Sequence, residues 1–141
     1  MRDEALSRAG LAPVQDGSSL PRISPLDAWR KVVGVTVAPT AVVKEDNPDY
    51  LLEVDRVWVE VAEREGLFNG GSSFWVHVAG AGALRQGWQK VRISGNLELA
   101  KHLGTQPGEP EFLAMALDER LLCGVTTEED GVWIIAARLD R

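Results

Sequence analysis

Apolar positions recur along this chain in short runs of two kinds, some at helical spacing and some in alternation. Leu51, Val54, Val57, Trp58, Val61 and Ala62 share one helical face, opposite Glu53, Arg56, Glu60 and Arg64. That pattern predicts a helix opened at Asn47-Pro48 and capped by Gly66, with a β-branched strand as the alternative. Shorter helices are expected over residues 3–9, from the Ser24-Pro25 cap to about Lys31, from Asn96 to about Leu103, and over residues 111–119. Val32, Val33, Val35 and Val37 read as a strand broken by Pro39 and resumed at residues 41–43. Residues 74–79 and 88–94 alternate as two strands joined by residues 80–87. Residues 121–126 and 132–137 form a hairpin around Glu128-Glu129-Asp130-Gly131, its second strand apolar on both faces.

Helices and strands are interspersed without regular strand–helix–strand alternation. The expected fold class is therefore α+β, a single domain with a mostly antiparallel sheet and three to four short helices packed on it. Residues 9–25 carry Pro13, Gly17, Ser18, Ser19, Pro21 and Pro25 and have no apolar period. Residues 1–24 are thus expected to be a short helix and a flexible, protease-sensitive arm, and residues 25–141 one α+β globular domain.

A length of 141 residues gives room for one core, and 45% hydrophobic with 26% charged residues excludes wholesale disorder. The longest uncharged apolar run, residues 32–43, is interrupted by Pro39 and is too short to span a bilayer. No secretory pattern opens the chain, and its single cysteine fits a reducing compartment, so a cytoplasmic location is expected. The net charge of −6 disfavours sequence-independent coating of nucleic acid. Its distribution is uneven. Between residues 66 and 101 stand Arg85, Lys90, Arg92 and Lys101 against Glu98 alone, a local net of 4 − 1 = +3.

Motifs for chemistry are sparse. Gly80-Ala81-Gly82-Ala83-Leu84 follows a strand but has Arg85 where a dinucleotide fingerprint needs its third glycine, so it reads as a hairpin loop. His77, His102 and Cys123 stand 25 and 21 residues apart, which fits no closed zinc pattern. No metal and no cofactor is expected. Cys123 lies between Leu122 and Gly124, as a small buried hydrophobe does. Residues 97–137 have the order of a winged helix-turn-helix, yet the second helix would carry only acids and apolar residues where base readers belong.

The most informative feature is the hairpin of the two alternating strands. Phe74, Val76 and Val78 with Val91 and Ile93 take one face, and Trp75, His77, Trp88, Lys90 and Arg92 take the other. Indoles interleaved with cations suit a stacking surface or an acidic partner. They equally suit packing beneath a helix, with the cations reaching out at its rim. The two readings separate on Trp88→Ala, which costs binding if the face is open and stability if it is covered. Trp29, beside Arg30-Lys31, is a further candidate to anchor the arm or a partner, while Trp58 and Trp133 read as core.

The leading expectation is a small, soluble, non-catalytic protein-binding module: a regulator, adaptor, immunity-type inhibitor or chaperone-like accessory. Its partner is another protein with an acidic patch, met at Trp75, His77, Trp88, Lys90, Arg92 and Trp29; no membrane is involved, and homo-oligomerisation stays open. One alternative is a nucleic-acid-associated module that holds single strands on the basic hairpin face. A second is a small enzyme whose site is assembled from dispersed residues.

Overall fold

The computed structural model describes residues 2–34, 37–80 and 86–139, with the side chains of all of these but Arg2 and Asp3. Thirteen elements follow one another: α1 (Arg2–Arg8), β1 (Leu11–Pro13), α2 (Pro25–Val32), β2 (Ala41–Val43), α3 (Tyr50–Glu65), β3 (Ser73–Val78), β4 (Gln89–Ile93), α4 (Leu99–His102), β5 (Gly104–Gln106), β6 (Glu109–Pro110), β7 (Phe112–Met115), β8 (Leu121–Glu128) and β9 (Gly131–Arg138). Seven strands form one antiparallel sheet in the order β1-β4-β3-β7-β8-β9-β2, and β5 pairs with β6 separately. The expected α+β class, with four short helices on a mostly antiparallel sheet, is what the chain adopts.

Local chemistry explains the helix ends. Ser24 Oγ accepts from the Asp27 amide at 3.1 Å and Pro25 fills the first turn of α2, where its missing N–H costs nothing. Asn47 turns the chain ahead of α3, its side-chain oxygen accepting from the Asp49 amide at 2.9 Å. Gly66 closes α3 at φ +100°, its amide bonded to the carbonyls of Ala62 and Glu63.

Alternation then assigns each strand two working faces. On one, Phe74, Val76, Val91, Phe112, Ala114, Cys123, Val125 and Ile134 pack against α1, α3 and α4. Trp58 is the fully buried centre of this layer, tilted or edge-on to Phe68, Phe74 and Phe112 at 5.8–6.2 Å. Asp55, also buried on α3, accepts from the Ala100 amide at 2.8 Å and so ties α3 to α4, which at four residues cannot stand alone. Burial raises the Asp55 carboxyl to about 6, against the lowering effect of the Ala100 and Leu99 amides. On the opposite face, Trp75, Trp88, Leu113, Met115, Leu122 and Ile135 meet Ala28 and Val32 of α2.

Three elements depart from the sequence expectations. Residues 111–119 are not a helix: β7 runs from Phe112 to Met115 in the middle of the sheet, between β3 and β8. All four of its side chains are buried, Phe112 and Ala114 on one face and Leu113 and Met115 on the other. An apolar run without gaps fits a strand buried on both sides as well as a helix, and here tertiary pairing overrides the helix preference of Leu, Ala and Met. The winged helix-turn-helix order disappears with that helix. Among the described residues the valine run also shows no strand: Val32 ends α2, Val33 is its C-terminal cap, and the next strand is Ala41–Val43. Val35 lies outside the described residues, as does most of the loop at residues 80–87.

The third departure is in the arm. Leu11–Pro13 forms the edge strand β1, paired with β4 through Leu11↔Ile93, Ala12↔Arg92 and Pro13↔Val91. Gly10 makes this entry possible at φ +90°, where a Cβ would stand 2.2 Å from the Asn96 carbonyl oxygen. Leu6, Ala9 and Leu11 are fully buried in the same core as α3. Among the described residues no helix is long and apolar enough to cross a membrane.

Candidate binding face beneath the N-terminal arm

The candidate residues come from three elements of the second sheet face. Pairing of β3 with β4 sets Trp75 beside Lys90 and Ser73 beside Arg92. Trp75, His77, Trp88 and Lys90 lie together as the alternation requires, and Arg92 continues their row to the exposed end of β4. Trp29 reaches them from α2. The fold thus brings together the side chains that the alternation groups.

Their cover comes from residues far off in the chain. From β1, the segment at residues 14–24 crosses this face before entering α2. The Val14 amide continues the ladder onto the Lys90 carbonyl at 2.9 Å. At the other end the Trp88 indole N–H donates to the Ile23 carbonyl at 2.8 Å. Between these anchors, Lys90 Nζ donates to the Asp16 carboxylate at 2.7 Å and to Ser18 Oγ at 3.0 Å. Ser18 also gives both its amide and its hydroxyl to Asp16. The Lys90 ammonium first, and then Ser18, hold the Asp16 carboxyl well below the usual carboxylate range. Trp75 and Trp88 are each left 7% exposed.

The face is therefore covered, by an irregular segment as well as by a helix. Lys90 sits at its rim, as the packing alternative requires. Asp16, Ser18 and Ile23 also contact this face but carried no sequence signal, because a proline- and glycine-rich stretch does not reveal where it will lie.

His77 and Trp29 fasten α2. The Trp29 indole N–H donates to His77 Nδ1 at 2.9 Å, and His77 Nε2 stands 3.2 Å from the Gln86 carbonyl. An indole N–H only donates, so Nδ1 must present its lone pair and Nε2 must carry the proton. His77 is a neutral, buried bridge, with both Trp29 and Trp88 edge-on at 6.2–6.3 Å.

The arm does not fill the space it covers. A cleft of about 230 Å³ remains between it and the sheet, lined by Asp16, Gly17, Ser18, Trp75, Trp88 and Lys90 among others. Two further depressions lie elsewhere. One of about 320 Å³ is lined by Arg8, Lys101 and His102, and a shallower one of about 580 Å³ by Leu52, Asp55, Ile93 and Leu97. Cys123 is buried in the first layer, where desolvation pushes its thiol up to about 12. Among the described residues no three His, Cys, Asp or Glu side chains converge as a metal site. No protein-family model matches this chain, and no curated protein or solved structure shows significant similarity to it.

Proposed function

We propose that this chain is a non-catalytic protein-binding module that takes an acidic partner on the face of Trp29, Trp75, His77, Trp88, Lys90 and Arg92. One observation carries the reading: the chain's own Asp16 carboxylate already lies on Lys90, beside an indole-walled cleft that the arm leaves partly empty. An acidic group meets a cation there at the rim of a hollow walled by Trp75 and Trp88, the pairing that steers and orients protein partners. Stacking of unpaired bases needs open indole faces, whereas Trp75 and Trp88 are each 7% exposed. A competitor for Lys90 needs no open indole, and this favours a protein partner over single-stranded nucleic acid.

The test is paired capture from native lysate on the immobilised wild-type chain and on Lys90→Glu, with and without nuclease. Support is a protein held by the wild type, lost on Lys90→Glu and weakened by salt. Identical capture by both chains, or capture abolished by nuclease, overturns the reading.

A further inference from the structure

We infer that residues 15–22 of the arm are a built-in pseudo-ligand, and that the face beneath them accepts a short, extended acidic segment of a partner chain that displaces them. The inference rests on the reading above and names the chemistry of the partner and the regulation of the site.

The arm is pinned at both ends and loosely held between them. Val14 is fixed by the β1–β4 ladder and Ile23 by the Trp88 indole. Across the interval, the arm's grip on the hairpin runs through the Asp16–Lys90 pair and the Ser18 hydroxyl. Arg22 adds one amide bond to the Glu119 carboxylate. Leu20 lines the cleft yet is 69% exposed, so the arm's own large apolar side chain leaves most of its surface in water. Gly17 and Ser18 are small, which is why about 230 Å³ stays open beneath them. The Asp16 side chain is 46% exposed and that of Lys90 15%. An ion pair with one side in water contributes about 1 kcal/mol or less, so the segment can open without unfolding the sheet.

A better occupant follows from these facts. It carries an acidic side chain for Lys90, keeps the Ser18 hydroxyl, and in place of Leu20 bears a larger aromatic side chain for the walls of Trp75 and Trp88. It competes with a tethered segment, whose effective concentration is in the millimolar range for so short a loop. The arm therefore weakens binding of any weak acidic chain and yields to one that also fills the cleft. This is a filter for specificity as much as a lid.

The probes are three synthetic peptides: residues 12–22 of this chain, the same peptide with Asp16→Asn, and the same peptide with Leu20→Trp. Each is titrated into the full-length wild type, Asp16→Ala and Lys90→Ala, with tryptophan fluorescence as the readout. Asp16→Ala should bind the parent peptide up to about fivefold more tightly than the wild type does, the factor that one exposed ion pair supplies. The enlarged peptide should bind both chains more tightly than its parent, and the Asp16→Asn peptide on Asp16→Ala, like the parent peptide on Lys90→Ala, should bind up to about fivefold more weakly than the parent peptide on Asp16→Ala. Equal affinity of Asp16→Ala and wild type, or binding indifferent to Lys90, overturns the inference. Peptide binding without any Lys90-dependent capture from lysate would sink the functional reading alone. Lys90-dependent capture with no peptide binding would sink only the inference.

Discussion

Replacing Trp88 with alanine tests the covered face directly. The indole is 7% exposed, lies edge-on to His77 at 6.2 Å, and donates its N–H to the Ile23 carbonyl at 2.8 Å. A tryptophan buried to that degree removes about 150–250 Å² from water, and truncation of a large aromatic costs about 3–5 kcal/mol. The lower half of that range applies here. One wall is an irregular arm over a cleft of about 230 Å³, which can settle or hydrate more readily than a sheet can. Loss of the hydrogen bond adds about 1 kcal/mol, because the Ile23 carbonyl keeps some access to water. The expected total is about 4–5 kcal/mol, and at about 2–4 °C per kcal/mol it lowers Tm by about 10–15 °C.

Chemical denaturation read by far-ultraviolet circular dichroism gives the loss, and amide exchange at Val14 and Arg22 says where it falls. Trp88→Phe keeps the ring bulk and should lose only about 1–2 kcal/mol. The reasoning fails if Trp88→Ala loses less than about 1 kcal/mol with unchanged exchange at those amides. That result would mean the indole is not gripped between arm and sheet.

Other expectations follow from single groups. The Asp55 carboxyl, at about 6 when folded against 3.8 otherwise, favours the folded state fully below about pH 4, and that contribution is lost as pH rises through 6. Asp55→Asn keeps an acceptor for the Ala100 amide without the charge, so at pH 7.5 it should match or exceed the wild type by up to about 1–2 kcal/mol in urea melts. A clear loss would show that the charge itself is needed at the start of α4. His77→Phe removes the acceptor of the Trp29 indole and should cost about 1–3 kcal/mol and alter the near-ultraviolet dichroism of the tryptophans; an unchanged spectrum would count against the bridge. Cys123, buried with its thiol near 12, should resist Ellman's reagent at pH 8 in the native chain and react at once in denaturant. Rapid native labelling would place it outside the core.

Where the sequence was legible, a local rule decided the outcome. Ser24-Pro25 and Gly66 mark helix ends because caps act within a turn. The hairpin of β8 and β9 follows from two apolar runs about a short acidic turn closed by Gly131. β7 misled because its neighbours decide its state: Phe112–Met115 lies between β3 and β8, and its β3 partners, Trp75 to Val78, are distant in the chain. β1 was hidden for a similar reason. Three residues ending in proline make a poor strand by propensity, yet at a sheet edge the missing N–H of Pro13 is tolerated.

The candidate face was half legible, and the other half changes what the tryptophans mean. Alternation placed Trp75, His77, Trp88 and Lys90 together, but their cover depends on Lys90–Asp16 and Trp88–Ile23 contacts, which lie 74 and 65 residues apart. A covering made of an eight-residue helix and a proline- and glycine-rich segment offers few apolar side chains of its own. The sheet must then bring the buried area, and tryptophan brings the most per residue while needing one acceptor for its N–H. Trp29 finds His77, Trp88 finds the Ile23 carbonyl, and Trp133 finds Asp130. The surplus of tryptophan is thereby explained by packing and is no longer independent evidence for a partner. What still points outward is narrower: a cation held by a half-exposed acid, above a cleft that its own covering leaves unfilled.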